Sequence, residues 1–244
     1  LIEAESRGVV DAVATIAACL EAGEIRGKDG QWKSLTGESR SDLLAVLDVY
    51  NAGCEMKGKG GSQADVLRNA GLFVKDFFRA QELRRKLIDA VRDSVRSDSK
   101  RFASKEEERE QILRACVAGL VDHLYQGGGG TYRNGDRVER QLARESVVHG
   151  GQWIVGLPKD IEIETRRGKM TLRLVTMASA VDPSWLLDVA PQLASETTGL
   201  SPRFDQTKDC VVSTTQRFFN GRLVADITVE SPEHLQAAQV FATW

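Results

Sequence analysis

The stretch WIVGLPKDIEIETRRGKMTLRLVTMA, residues 153–178, decides the fold. Apolar and polar side chains alternate along it, as at Ile161, Ile163 and then Thr165. In an extended chain successive side chains point to opposite faces, so this pattern marks half-buried β-strands. Arg166, Arg167 and Lys169 crowd the turn between two such strands, with Gly168 at its apex and Arg173 on the strand that follows.

Outward from this hairpin the same signal recurs. Short strands are expected at residues 137–142, 153–157, 161–165, 170–178, 211–218 and 223–229. Five or six short strands led by a helix have the size of an OB-fold barrel. Asp182-Pro183 opens a short helix carrying Trp185, Leu186, Leu187 and Val189, and Pro191 stops it. Residues 233–241 form a last helix.

Toward the N-terminus the period changes. Val9, Val10, Val13, Ile16, Ala17 and Leu20 recur at steps of three and four, giving one apolar helix face. Gly23 and Gly27-Lys28-Asp29-Gly30 end it. Ser41 and Asp42 offer cap oxygens to a second helix with Leu43, Leu44, Val46, Leu47 and Tyr50 on its stripe. A third helix is expected at 64–69 and a long one at 73–96, with a solvated Gly-Lys loop at 57–62 before them. One further helical run covers 107–125, its acidic start suited to a helix dipole. The four glycines Gly127–Gly130 then break the chain. The whole is α+β: a helical bundle over residues 1–105, then a helix-led barrel with a C-terminal extension over 106–244.

Composition bounds the function. The 244 residues are 41% hydrophobic and 28% charged, as in ordinary soluble domains, and only 6% aromatic, so the cores rest on Leu, Val, Ala and Ile. With 33 basic against 35 acidic residues, any nucleic-acid contact must come from local patches. Cys19, Cys54, Cys116 and Cys210 form no CxxC pair; they read as small buried thiols in a reducing, cytoplasmic setting. No stretch reads as a signal peptide or membrane span. The start at Leu1, directly in helical pattern, reads as a segment of a longer protein.

Catalytic signatures are missing. There is no GxxxxGK[ST] loop and no acidic box for magnesium, and no Lys-Ser or Lys-Thr follows Gly127–Gly130. His123, His149 and His234 lack metal-ligand spacing. No nucleophile elbow supports a Ser/His/Asp triad. The expected catalytic and metal residues are therefore none.

Three stretches together resemble the region that follows the motor domains in DEAH-box ATP-dependent RNA helicases of bacterial type. VVDAVATIAACL (9–20) followed by SDLLAVLDVYNAG (41–53), and then FFRAQELRRKLIDAVR (77–92), are similar to the helicase-associated ratchet domain. ILRACVAGLVDHLYQ with TYRNGDRV (112–138), and residues 153–191, resemble the helix-led OB-fold that comes next. Two motifs depart: RESVVHGGQ (144–152) stands where the family has His-Pro-Ser-Ser, and Asn69-Ala70-Gly71 stands in place of Trp-Cys. The resemblance implies a fragment without its own cofactor, with ATP and Mg in motor domains outside it. It also implies partners: single-stranded RNA, those motor domains and a protein activator.

Local charge supplies the candidate contacts. Residues 41–105 hold thirteen Lys or Arg against nine Asp or Glu. Arg84 and Arg85 lie on the long helix, either as RNA contacts or as a solvated face. Arg166, Arg167, Lys169 and Arg173 form a basic hairpin that reads phosphates or is simply a charged tip. The resemblance puts it on the OB-fold's binding side. Tyr132 and Arg133 either meet a nucleotide or, for Tyr132, fill the barrel. The competing readings are a protein-interaction module that docks an activator or ribosomal partner, and a freestanding hydrolase of unrecognised type.

Overall fold

Helices form where caps and apolar stripes coincide. In the computed structural model, which describes residues 1–56, 62–92, 101–165, 168–230, 238–240 and 242, α1 is Ile2–Arg7 and α2 is Val10–Ala22. α2 buries Val10, Ala14, Ile16, Ala18 and Cys19, and stops at Gly23, whose φ of 114° suits glycine. A 3-10 turn, Gln31–Leu35, carries the buried Trp32. α3 (Asp42–Glu55) is capped by Ser41, whose Oγ accepts from the Leu44 N–H at 3.1 Å. α4 is Gln63–Asn69, and α5 is Val74–Val91. α6 (Lys105–Gly119) is capped by Ser104 and has Glu106, Glu107 and Glu108 in its first turn.

These helices share a core of Ile25, Trp32, Val46, Val49, Leu67 and Phe77. Burying a side chain the size of Phe77 contributes roughly 1.5–3 kcal/mol. Gly53 lets Phe77 approach: a Cβ there would meet Phe77 Cε2 at 2.5 Å.

The expected helix over 107–125 ends early. Gly119 closes α6, a 3-10 turn (Val121–His123) follows, and Leu124–Gly128 is strand β1. Leu124 and Tyr125 fit a helical stripe in sequence, but they pair with Val155 and Ile154 instead. Tertiary pairing overrides the local period here. The glycine run is half strand, half turn: Gly128 pairs with Thr131, and Gly129 and Gly130 (φ 63° and 86°) form the two-residue connection. Positive φ at both central residues is the hairpin geometry that glycine favours.

β1 joins β2 (Thr131–Arg133), β3 (Glu139–Leu142), β4 (Trp153–Thr165) and β5 (Gly168–Ala180) in a closed barrel of order β1-β2-β3-β5-β4. β4 closes on β1, and β3 runs parallel to β5. Tyr125, Tyr132, Val148, Ile154, Val175 and Ala178 fill it. Residues 153–157 and 161–165, expected as two strands, are one strand irregular at Gly156. A Cβ at Gly156 would meet Val175 Cγ1 at 2.5 Å, so only glycine lets β4 close over β5 at this point.

The chain divides into two units, Leu1–Val181 and Asp182–Trp244. The expected boundary at 105/106 falls inside the first, and α6 packs on α1, α2 and α3. Helices and barrel are joined through polar contacts. Ser41 Oγ and Ser179 Oγ are 2.7 Å apart, and the Ala180 N–H donates to the Arg40 carbonyl at 2.8 Å. Val147, from the segment before β4, sits in the helical core.

In the second unit, α7 (Pro183–Val189) starts with Pro183 after an Asp182 cap. β6 (Ala194–Asp205), β7 (Cys210–Phe219) and β8 (Arg222–Glu230) form an antiparallel sheet in that order. β7 and β8 fall where strands are expected. β6, with the sequence ASETTGLSPRFD, has no apolar alternation to announce it. Most of the helix expected at 233–241 lies outside the described residues.

Candidate nucleic-acid interface

The basic hairpin extends from the barrel as the paired ends of β4 and β5. Asp160 stands opposite Arg173, Glu162 opposite Thr171 and Glu164 opposite Lys169. Opposite residues share a face. One face of the hairpin therefore carries both signs of charge, and the other carries Ile161, Ile163, Met170 and Leu172. Lys169 and Arg173 are exposed. Arg166 and Arg167 lie outside the described residues. Asp160 also pairs with Arg140, a β3 side chain that shares the barrel-facing side with Tyr132. Arg140 is only 9% exposed, and its Nε has no partner.

The other expected contacts scatter. Tyr132 is fully buried in the barrel, and its hydroxyl donates to the Gly151 carbonyl at 3.1 Å. That leaves no face for stacking a base. Arg133, on β2, is exposed and paired with Glu139 on β3. Arg84 donates to Asp11 Oδ1 at 2.5 Å and to Thr15 Oγ1 at 2.8 Å, which ties α5 to α2. This pairing raises the Arg84 pKa. Arg85 is exposed on the same helix. Arg133 on β2 and Lys169 and Arg173 on β5 are thus exposed on separate barrel strands, while Arg84 links two helices.

A second charged surface was not expected from sequence. A cleft of about 810 Å³ opens between the turn after α2 and the barrel. Lys28 and Lys33 line one wall, Arg144 and Lys159 the other, and Phe73 stands beside them, 39% exposed. The cleft lies over a buried pair. Arg26 Nη1 donates to Asp42 Oδ1 at 3.1 Å, while its Nε and Nη2 hold Glu24, each at 2.8 Å. Burial opposes the Arg26 charge, but the Glu24 and Asp42 carboxylates outweigh it and raise its pKa. The guanidinium also lies 4.9 Å from the centre of the Trp32 ring. Nothing in the sequence marked this surface; Lys28 stood out only as part of the turn-rich run that ends α2.

Among the described residues no group of His, Cys, Asp and Glu is placed to hold a metal, and no helix is long and apolar enough to cross a membrane. His123 sits in the turn before β1, and His149 is exposed. Cys19 and Cys116 are buried as expected, whereas Cys54 is exposed.

No protein family matches the sequence, and no curated protein does. Among solved structures, the chain is similar to the crystal structure of the DExH-box NTPase HrpB from E. coli, at 15% identity and a TM-score of 0.42. The match covers 96% of this chain and 22% of that one, so the chain spans about a fifth of that protein's length.

Proposed function

We propose that this chain is a non-catalytic accessory region of an ATP-dependent RNA helicase, helping to form a channel over single-stranded RNA. The observation that carries the reading is the barrel: five strands closed in the order β1-β2-β3-β5-β4. Read as an OB-fold, it has its binding side on strands β2 and β3 and on the loops β1–β2 and β4–β5. On this reading Arg133 and the glycine turn lie there, with Lys169 on β5 and Arg166 and Arg167 just before it in sequence. The helical part, in the resemblance a ratchet-like bundle, belongs to the same unit. ATP and magnesium belong, on this reading, to motor domains outside the chain, and the setting is the cytoplasm.

The test is binding of single-stranded RNA across a salt series. Binding is expected to be weak and salt-sensitive, because the mixed charges on the hairpin leave only a small local excess of cations. Changing Arg166, Arg167 and Lys169 to Gln should lower affinity for every sequence and flatten the salt slope by roughly 0.7 per lost contact. Affinity that ignores salt would sink the reading.

The hairpin's apolar face favours a second reading, docking of a protein activator. Met170 is 51% exposed there. In that case the same Gln variant keeps its RNA affinity and loses the activator.

A further inference from the structure

We infer that the cleft bounded by Lys28, Lys33, Phe73, Arg144 and Lys159 is a second binding site for single-stranded nucleic acid. The inference rests on the nucleic-acid reading above but on different residues. The four cations take phosphates, and Phe73 stacks a base.

The first support is charge bookkeeping across the fold. Arg84, Arg109, Arg133, Arg140 and Arg217 each hold a carboxylate. Among the described residues Lys28, Lys33, Arg144 and Lys159 make no ion pair, although all four are exposed. Three of the acids nearby have hydrogen-bond partners and keep their charge. Glu24 and Asp42 are held by Arg26, and Asp29 Oδ1 accepts the Gln31 N–H at 3.2 Å. With Arg26 counted, the lining holds five cations against the four carboxylates Glu24, Asp29, Asp42 and Glu145, an excess of one cation.

The second support is rigidity. The turn that presents Lys28 and Lys33 is fastened at both ends: the Gly27 N–H donates to the Gly71 carbonyl at 2.8 Å, and Trp32 Nε1 donates to the Gly27 carbonyl at 3.0 Å. Close contact requires the glycine, since a Cβ on Gly27 would meet the Gly71 oxygen at 2.5 Å. The Phe73 N–H donates to the Ile25 carbonyl at 2.9 Å, which fixes the aromatic side chain's backbone to the same turn. The backbone that presents Lys28, Lys33 and Phe73 is thus fixed before binding, which leaves only their side chains to be ordered.

The third support is the combination. An acidic peptide would use the lysines and have no need of an exposed ring. A single strand uses both, because its backbone is anionic and every base has a stacking face.

The experiment titrates a fluorescein-labelled oligouridylate with this chain at several salt concentrations. Changing Lys28, Lys33, Arg144 and Lys159 to Gln should weaken binding at least about tenfold and lower the salt slope by roughly 0.7 per contact. Phe73→Ala should weaken binding at an unchanged slope. Glu145→Lys, which removes no cation, should tighten it, so the inference stays testable even if the quadruple variant misfolds. If all three bind like the parent while Lys169→Gln with Arg173→Gln binds worse, the cleft is excluded and the accessory function stands. If the parent itself does not bind, both readings fall. If the quadruple variant loses only an oligoglutamate peptide, the cleft is a protein site and the inference is wrong.

Discussion

Arg26 and Asp42 form an ion pair of 3.1 Å whose side chains are 2% and 1% exposed, at the junction of helices and barrel. Asp42 also accepts Ser146 Oγ at 2.7 Å and the backbone N–H groups of Val147 and Ala178 at 2.9 Å each. A single carboxylate at the start of α3 thus gathers three distant segments. With every lone pair engaged, its burial is compensated.

Asp42→Asn places an amide donor against the buried donors of Ser146, Val147 and Ala178 and leaves Arg26 to Glu24 alone. The expected loss of stability is about 3–5 kcal/mol. Glu24→Gln, removing a partner that is 36% exposed, should cost about 1 kcal/mol or less. Urea unfolding of the two variants checks the contrast; equal losses would mean that Asp42 is not the hub.

Burial pushes the thiols of Cys19 and Cys116 up to about 12. An unfolded cysteine ionises near pH 8.5, so between about pH 9 and 12 the unfolded state binds fewer protons and stability must fall as pH rises. Each thiol contributes up to about 1.4 kcal/mol per pH unit in that window. A Cys19→Ser, Cys116→Ser variant should show a shallower alkaline decline in melting temperature. In the native protein at pH 8, Cys54 should be the first thiol to be alkylated, with Cys19 and Cys116 protected until unfolding.

Gly156→Ala forces a methyl against Val175 Cγ1 and lies 2.9 Å from the Thr176 carbonyl oxygen. The second contact is backbone and cannot swing away. Overpacking of this kind costs about 1–3 kcal/mol, and it should open the barrel while leaving helical circular dichroism intact. Loss of hydrogen-exchange protection confined to β4 and β5 would register it.

The purified chain should not hydrolyse ATP, with or without RNA, since its sequence holds no phosphate loop and no magnesium-binding acidic box. RNA-stimulated phosphate release that survives further purification would overturn the proposed division of labour.

The sequence by itself determined what local periodicity and caps can specify. Ser41, followed by the stripe of α3, and the alternation around Ile161 and Ile163 are properties of neighbouring residues, because helix and strand repeat over a few positions. Leu124 and Tyr125 satisfied either repeat, and their pairing with β4 chose the strand. β6 had no repeat to read. The cleft was beyond any local signal: Lys28, Phe73, Arg144 and Lys159 come from separate turns and strands. They meet because Asp42, Ser41, Arg40 and Val147 join the helices to the barrel segments. Backbone geometry is short-ranged and legible along the chain, whereas convergence of charges is decided by long-range packing.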